Sequence, residues 1–233
     1  MPAQDVERYA IYYAPPAGSE LARRGAAWLG WDAEAAIEPT PDAPEALAGM
    51  REALTRRPRR YGFHATLKAP FRLNEGFGRP MIEEAVAAFA ARTPAVSGPG
   101  LEVAADLGFV ALRPSGPAPA VDALAAACVR ELDLLRAPLA QAELARRRRG
   151  GLDMVEEAHL RDWGYPFVLD RFRFHMTLTG PLSERDSRTA AEALGLYFAD
   201  ALEPDLVIDE IALFGDPGGG APFRLLRRFP LGG

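Results

Sequence analysis

The sequence predicts an α+β fold built from two similar halves, and three observations carry that prediction. The strings FHATL and FHMTL agree at four of five positions, and their histidines, His64 and His175, stand 111 residues apart in a chain of 233. Each lies in a stretch alternating with period two, followed by a helical pattern and then two strand-like runs. The composition, 48% apolar, 25% charged and 9% aromatic, is that of a globular protein able to bury a core. We expect one bilobal domain over 1–233, with lobes around a strand at 61–73 and a strand at 167–179.

The elements follow in order. Residues 9–15 are aromatic and end in two prolines, which suits a buried strand, and a helix is expected over 19–31. Residues 32–60, rich in Pro, Asp and Ala, read as a loop or irregular connection. In 61–73 (YGFHATLKAPFRL) alternation puts His64, Thr66 and Lys68 on one face and Phe63, Ala65 and Leu67 on the other. Met81, Ile82, Ala85, Val86 and Phe89 recur at helical spacing behind Pro80, and strands are expected at 101–105 and 109–113.

Val121, Leu124, Cys128, Leu132 and Leu135 form a second helical stripe, with Cys128 a buried core thiol. The run from Arg146 to Arg149 reads as a solvated polar helix. In 167–178 (FVLDRFRFHMTL) a strand places Arg171, Arg173, His175, Thr177 and Thr179 on one side and Phe172, Phe174, Met176 and Leu178 on the other. Ser183 with Asp186 opens a helix to about residue 201, and 206–214 with 223–229 reads as a hairpin across DPGGGAP.

Composition also excludes classes of function. A net charge of −5 disfavours long nucleic acid held by bulk electrostatics and leaves room for a small anion in a local basic pocket. A single cysteine permits no internal disulfide and points to a reducing, cytoplasmic setting. The start, MPAQDVERYAIYY, lacks a basic n-region, and no window approaches 18 apolar residues, so neither a Sec-type signal nor a membrane span is expected. No obligate protein partner is evident.

One HxTL motif is uninformative, because a given histidine is followed by Thr and Leu at these places by chance in fewer than about one case in a hundred, and chains hold several histidines. Two copies among three histidines, with matched flanks, are informative. FHATL and FHMTL resemble the paired H-x-[ST]-x motifs of the 2H phosphoesterase superfamily, and the order of elements resembles it over most of the chain. The longer strings YGFHATLKAPFRL and WGYPFVLDRFRFHMTLTGPL resemble a branch found with phosphonate-utilisation genes, the DUF1045-type proteins. The resemblance implies a LigT-like fold: two pseudo-symmetric lobes, each an antiparallel sheet with helices outside, around a central cleft.

Two histidines on facing strands suit hydrolysis of a phosphodiester, which needs a base for the attacking water and an acid for the departing alkoxide. Imidazoles supply both near neutral pH, and a bell-shaped rate profile with limbs on either side of neutrality follows. Thr66 and Thr177, each ~7 Å along an extended backbone from its histidine, can donate to non-bridging oxygens. Lys68, the sole lysine, and Arg173 are placed to offset charge in the transition state. Tyr61, Tyr165 and Thr179 complete the candidate substrate contacts, and His159 reads as a surface histidine.

The expected function is that of a 2H-type cyclic phosphodiesterase, a hydrolase using His64 and His175 with no metal or cofactor on a small phosphorylated sugar or nucleotide. The resemblance implies phosphonate breakdown, with 5-phosphoribosyl 1,2-cyclic phosphate as the specific substrate. Three alternatives remain: a 2′,3′-cyclic nucleotide or RNA-end phosphodiesterase or ligase, a non-catalytic nucleotide-binding module, and a zinc site formed by His64, His159 and His175.

Overall fold

The first strand, β1 (Arg8–Tyr13), alternates between two environments and thereby defines both faces of the main sheet. In the computed structural model, which describes residues 6–106 and 108–233, Ile11 and Tyr13 enter the main hydrophobic core, whereas Ala10 and Tyr12 belong to a smaller cluster on the opposite face. Among the described residues no helix is long and apolar enough to cross a membrane.

After β1 come α1 (Glu20–Leu29) and the short α2 (Arg51–Thr55), then β2 (Ala65–Phe71), α3 (Arg79–Ala91), β3 (Val96–Pro99), β4 (Leu101–Ala104) and β5 (Ala111–Pro114). The second half contains α4 (Pro119–Glu131), α5 (Gln141–Arg148), α6 (Met154–Trp163), β6 (Met176–Thr177), α7 (Glu184–Phe198), β7 (Asp205–Ile208), β8 (Glu210–Asp216) and β9 (Arg224–Pro230). Seven strands form one sheet in the order β4-β5-β6-β2-β1-β8-β9, and β3 pairs with β7 in a separate ribbon. Every strand pairing is antiparallel. The result is an α+β fold whose two motif strands, β2 and β6, are neighbours at the centre of the sheet.

Local signals set the helix ends. The Ser19 hydroxyl accepts from Ala22 N to open α1, and Gly30 closes it in the left-handed region at φ 81°. Asp153 and Glu156 form a reciprocal capping box on α6, and the Ser183 hydroxyl accepts from Asp186 N at α7. Ile82, Val86 and Phe89 of α3, Leu124 and Cys128 of α4, and Leu194 and Phe198 of α7 all pack into the main core with Leu67, Leu112, Met176 and Leu213. Each such buried side chain contributes about 1.5–3 kcal/mol. Trp28 Nε1 donates to Leu178 O at 2.8 Å, fastening α1 to the second half of the chain. Cys128 is buried, and burial pushes its thiol up to about 12, consistent with an inert core position.

Two expectations need correction. The stretch 167–178 is not one strand: a 3-10 turn occupies Leu169–Arg171 with Leu169 at φ 54°, and only Met176 and Thr177 join the ladder. The run 206–214 divides at Asp209, because β7 leaves the main sheet to pair with β3. The helix α6 is an element the sequence pattern does not predict.

Candidate active site

A turn delivers the first histidine. The 3-10 turn Pro58–Tyr61 ends at Gly62, whose φ of 75° lies in the region that favours glycine and where a Cβ would stand 2.8 Å from Ala33 Cβ. His64 Nδ1 lies 2.9 Å from Gly62 O. The second histidine repeats the device, with His175 Nδ1 2.8 Å from Arg173 O. A carbonyl only accepts, so each Nδ1 carries its proton and donates. Each neutral ring is then left with its Nε2 lone pair free for proton transfer. The two motifs thus share the same backbone anchor, from the residue two places before the histidine.

The pairing of Ala65 with Met176 sets the register between the motif strands. Counting outward along antiparallel strands puts His64 opposite Thr177 and Thr66 opposite His175, so the four side chains form a square on one face. The burial pattern agrees: His64, Thr66, His175 and Thr177 are half-buried, whereas Phe63, Ala65, Leu67, Phe174, Met176 and Leu178 are buried. Thr66 Oγ1 lies 3.2 Å from His64 Nε2 and can donate to its lone pair.

Tyr12 is the residue that sequence reading missed. It sits opposite Thr66 in β1, is 1% exposed, and stacks on His64 with ring centroids 3.8 Å apart and planes inclined by 23°. Its signal was present in the period-two pattern of RYAIYY, which separates Tyr12 from Tyr9 and Tyr13. His175 has the looser neighbour Phe109, at 5.7 Å between centroids. Burial lowers both imidazoles. His64 falls to about 4, desolvation being the largest cause and His175 a further one, with the Gly62 carbonyl opposing. His175 is lowered by desolvation, opposed by the Arg173 carbonyl.

A cavity of about 500 Å³ opens beside this square, lined by Thr66, Tyr165, Phe167, Arg171, Arg173 and His175 among others. Tyr165 and Arg173 thus both line this cavity. The guanidinium of Arg147 lies 5.2 Å from the Tyr165 ring centroid, which brings one member of the arginine run over a cavity residue. Arg146 and Arg147 pair with Glu143, and Arg148 pairs with Glu157. Tyr61 is half-buried, 6.3 Å from the His64 ring and 5.0 Å from that of Phe223.

Lys68 and Thr179 are placed elsewhere. The register steps from Tyr12–Thr66 to Ile11–Lys68, so Leu67 is an extra residue in β2 and the bulge turns Lys68 to the helix side. There its ammonium donates to Val129 O at 3.0 Å and Asp133 Oδ1 at 2.9 Å. Thr179 is buried, accepts from Val110 N at 3.0 Å and donates to Gly180 O at 2.9 Å, a structural tie between loops. His159 is held by Pro166 O through Nδ1 at 3.2 Å and by Asp170 through Nε2 at 3.1 Å. Among the described residues no three His, Cys, Asp or Glu side chains group as a metal cage.

Comparison with known proteins gives the family. The model of "Protein of unknown function (DUF1045)" matches residues 66–224. A protein of Janthinobacterium sp. (strain Marseille) named ribose 1,5-bisphosphate phosphokinase PhnN is 40% identical over 240 residues, covering 99% of this chain and 52% of that protein. One of the same name from Laribacter hongkongensis (strain HLHK9) is 38% identical over 220 residues, covering 94% of this chain and 51% of that one. The chain thus spans about half the length of the curated relatives it matches. Among solved structures, E. coli LigT in its apo form aligns at a TM-score of 0.43 and 16% identity, over 97% of this chain and 98% of that one. The family match extends over well more than half of the residues, and the chain belongs to the DUF1045 family.

Proposed function

We propose that the chain is a 2H-type cyclic phosphodiesterase that opens a ribose cyclic phosphate by acid–base catalysis, with 5-phosphoribosyl 1,2-cyclic phosphate as its substrate. The single observation that carries this reading is the square of His64, Thr66, His175 and Thr177, in which both Nδ1 atoms are tied to backbone and both Nε2 atoms are turned away from that tie, the one of His64 towards the Thr66 hydroxyl.

His64, buried against Tyr12 and held neutral, takes the proton of the attacking water at Nε2 as its oxygen bonds to phosphorus. His175, at the cavity wall, is the acid on this reading: in the fraction of chains that carry its Nε2 proton, it gives that proton to O2 as the P–O2 bond breaks. Thr66 and Thr177 donate to the non-bridging oxygens, where negative charge accumulates. Water is consumed and one proton passes from each turnover's water to the alkoxide by way of the two rings. The product of this ring opening is ribose 1,5-bisphosphate.

That product is the compound in the name of the curated relatives, which supports the substrate assignment. The kinase activity in that name belongs, on this reading, to the half of those proteins beyond the matched region. A nucleotide-cradling G-x-x-x-x-G-K-[ST] string needs a lysine, and the sole lysine here, in ATLK, is bound to Asp133. A second reading, a 2′,3′-cyclic nucleotide as substrate, is favoured by Phe167, 48% exposed at the cavity and able to stack on a base.

The test is a ³¹P NMR assay of the purified chain with 5-phosphoribosyl 1,2-cyclic phosphate, 2′,3′-cyclic AMP and a cyclic-phosphate-capped oligonucleotide, each with and without chelator. Ribose 1,5-bisphosphate as the main product, formed equally after chelation, is the expected result. Turnover of the nucleotides alone would favour the second reading, and no turnover of any diester would overturn both.

A further inference from the structure

The cavity beside His175 contains two guanidinium groups that the acid–base chemistry does not use. Arg173 is exposed, and no carboxylate among the described residues pairs with it. Arg171 reaches Asp153 through one terminal nitrogen at 2.9 Å, yet its Nε is buried with no hydrogen-bond partner among the described residues. Two carboxylates also line the cavity, and both are engaged elsewhere. Asp170 binds His159 at 3.1 Å, and Glu156 accepts from Asp153 N at 3.0 Å in the α6 capping box. The cavity therefore offers unspent donors of one charge sign next to the catalytic square.

Spacing fits these donors to a second anion on the same molecule. Arg173 precedes His175 by two residues, ~7 Å along the chain, and Arg171, two residues before Arg173, is the last residue of the 3-10 turn Leu169–Arg171. A cyclic phosphate held between the histidines therefore leaves Arg173 and Arg171 beyond one end of a pentose. A guanidinium fork matches a phosphomonoester with paired hydrogen bonds, and an orphaned buried Nε–H gains most from such a partner.

We propose that Arg171 and Arg173 form a phosphomonoester subsite, so that the preferred substrates are cyclic phosphodiesters bearing a second, terminal phosphate. This rests on the phosphodiesterase reading above and adds to it the residues that select within that class. The arginines bind the terminal phosphate and are positioning residues for the reaction.

The experiment compares kcat/KM for 5-phosphoribosyl 1,2-cyclic phosphate with that for ribose 1,2-cyclic phosphate, in the wild type and in Arg171→Met, Arg173→Met and Arg146→Met. The wild type is expected to favour the phosphorylated substrate by at least about tenfold, the worth of one charge-assisted contact. Each of the first two variants lowers that ratio towards one, chiefly through KM, whereas Arg146→Met keeps it. Binding of ribose 5-phosphate, measured by calorimetry, weakens in step in the same two variants. Arg173, being exposed, carries the test should Arg171→Met lower stability.

A wild type that turns over both substrates equally, or an equal loss of preference in Arg146→Met, overturns the subsite and leaves the acid–base reading standing. Absence of any turnover with arginine-dependent binding of ribose 5-phosphate does the reverse.

Discussion

His64 stands across from Thr177 on the pair of strands that joins the two halves of the sheet, and the same count sets Thr66 across from His175. The Thr66 hydroxyl also lies 3.2 Å from His64 Nε2 of its own motif, so the register and this contact together gather the four side chains. The arrangement depends on one backbone pairing, Ala65 with Met176, in a strand of two residues.

Lys68 supports the fold rather than the cleft, because its ammonium lies between Asp133 and the Val129 carbonyl. Replacing Lys68 with Met should lower stability by about 1–3 kcal/mol, with Asp133 still paired to Arg136. Rates should stay close to those of the wild type. Urea unfolding and steady-state kinetics on the same preparation check this. A large rate loss at unchanged stability would return Lys68 to the substrate.

Tyr12 positions His64 by stacking, so its aromatic ring and not its hydroxyl is the useful part. Tyr12→Phe should preserve both stability and rate. Tyr12→Ala should cost about 3–5 kcal/mol as a large buried ring is lost, with a fall in kcat in the fraction that remains folded. Equal kinetics in the two variants would contradict the positioning role.

Burial of His64 also makes stability pH-dependent. Its folded value of about 4 lies below the ordinary 6.5, so between these values the unfolded chain takes up a proton that the folded chain does not. The contribution is complete above pH 6.5 and is lost as pH falls towards 4, amounting to about 3 kcal/mol at 1.36 kcal/mol per unit. Denaturant unfolding of the wild type and His64→Leu across this range checks it, the variant lacking this part of the acid loss.

Much of this was legible in the sequence, for identifiable reasons. Side-chain alternation in FHATL and FHMTL placed His64, Thr66, His175 and Thr177 on one face, since alternation persists in any extended backbone, paired or not. The capping residues Ser19 and Ser183 act locally and mark their helices. What failed depended on distant partners. The bulge at Leu67 that turns Lys68 away is set by the register with β1, and strict alternation cannot foresee it. Similarly, 167–174 looked like a strand because apolar and polar residues alternate, but the 3-10 turn at Leu169–Arg171 withholds those residues from the ladder. Tyr165 and Arg173 both line the cavity although the 3-10 turn at Leu169–Arg171 separates them along the chain, a placement alternation alone does not predict.

The central claim, that one imidazole must be neutral while the other is charged, is tested most directly by the pH dependence of kcat/KM in the wild type, His64→Ala and His175→Ala. The rate should rise as His64 loses its proton near pH 4 and fall as His175 loses its own, with an optimum on the acid side of 6.5 because burial lowers both rings. This moves the bell from the neutral position that unperturbed histidines would give. Each variant should lose at least about 10²-fold in rate, with His64→Ala lacking the acid limb and His175→Ala the alkaline one. Retention of both limbs in either variant would contradict the paired roles.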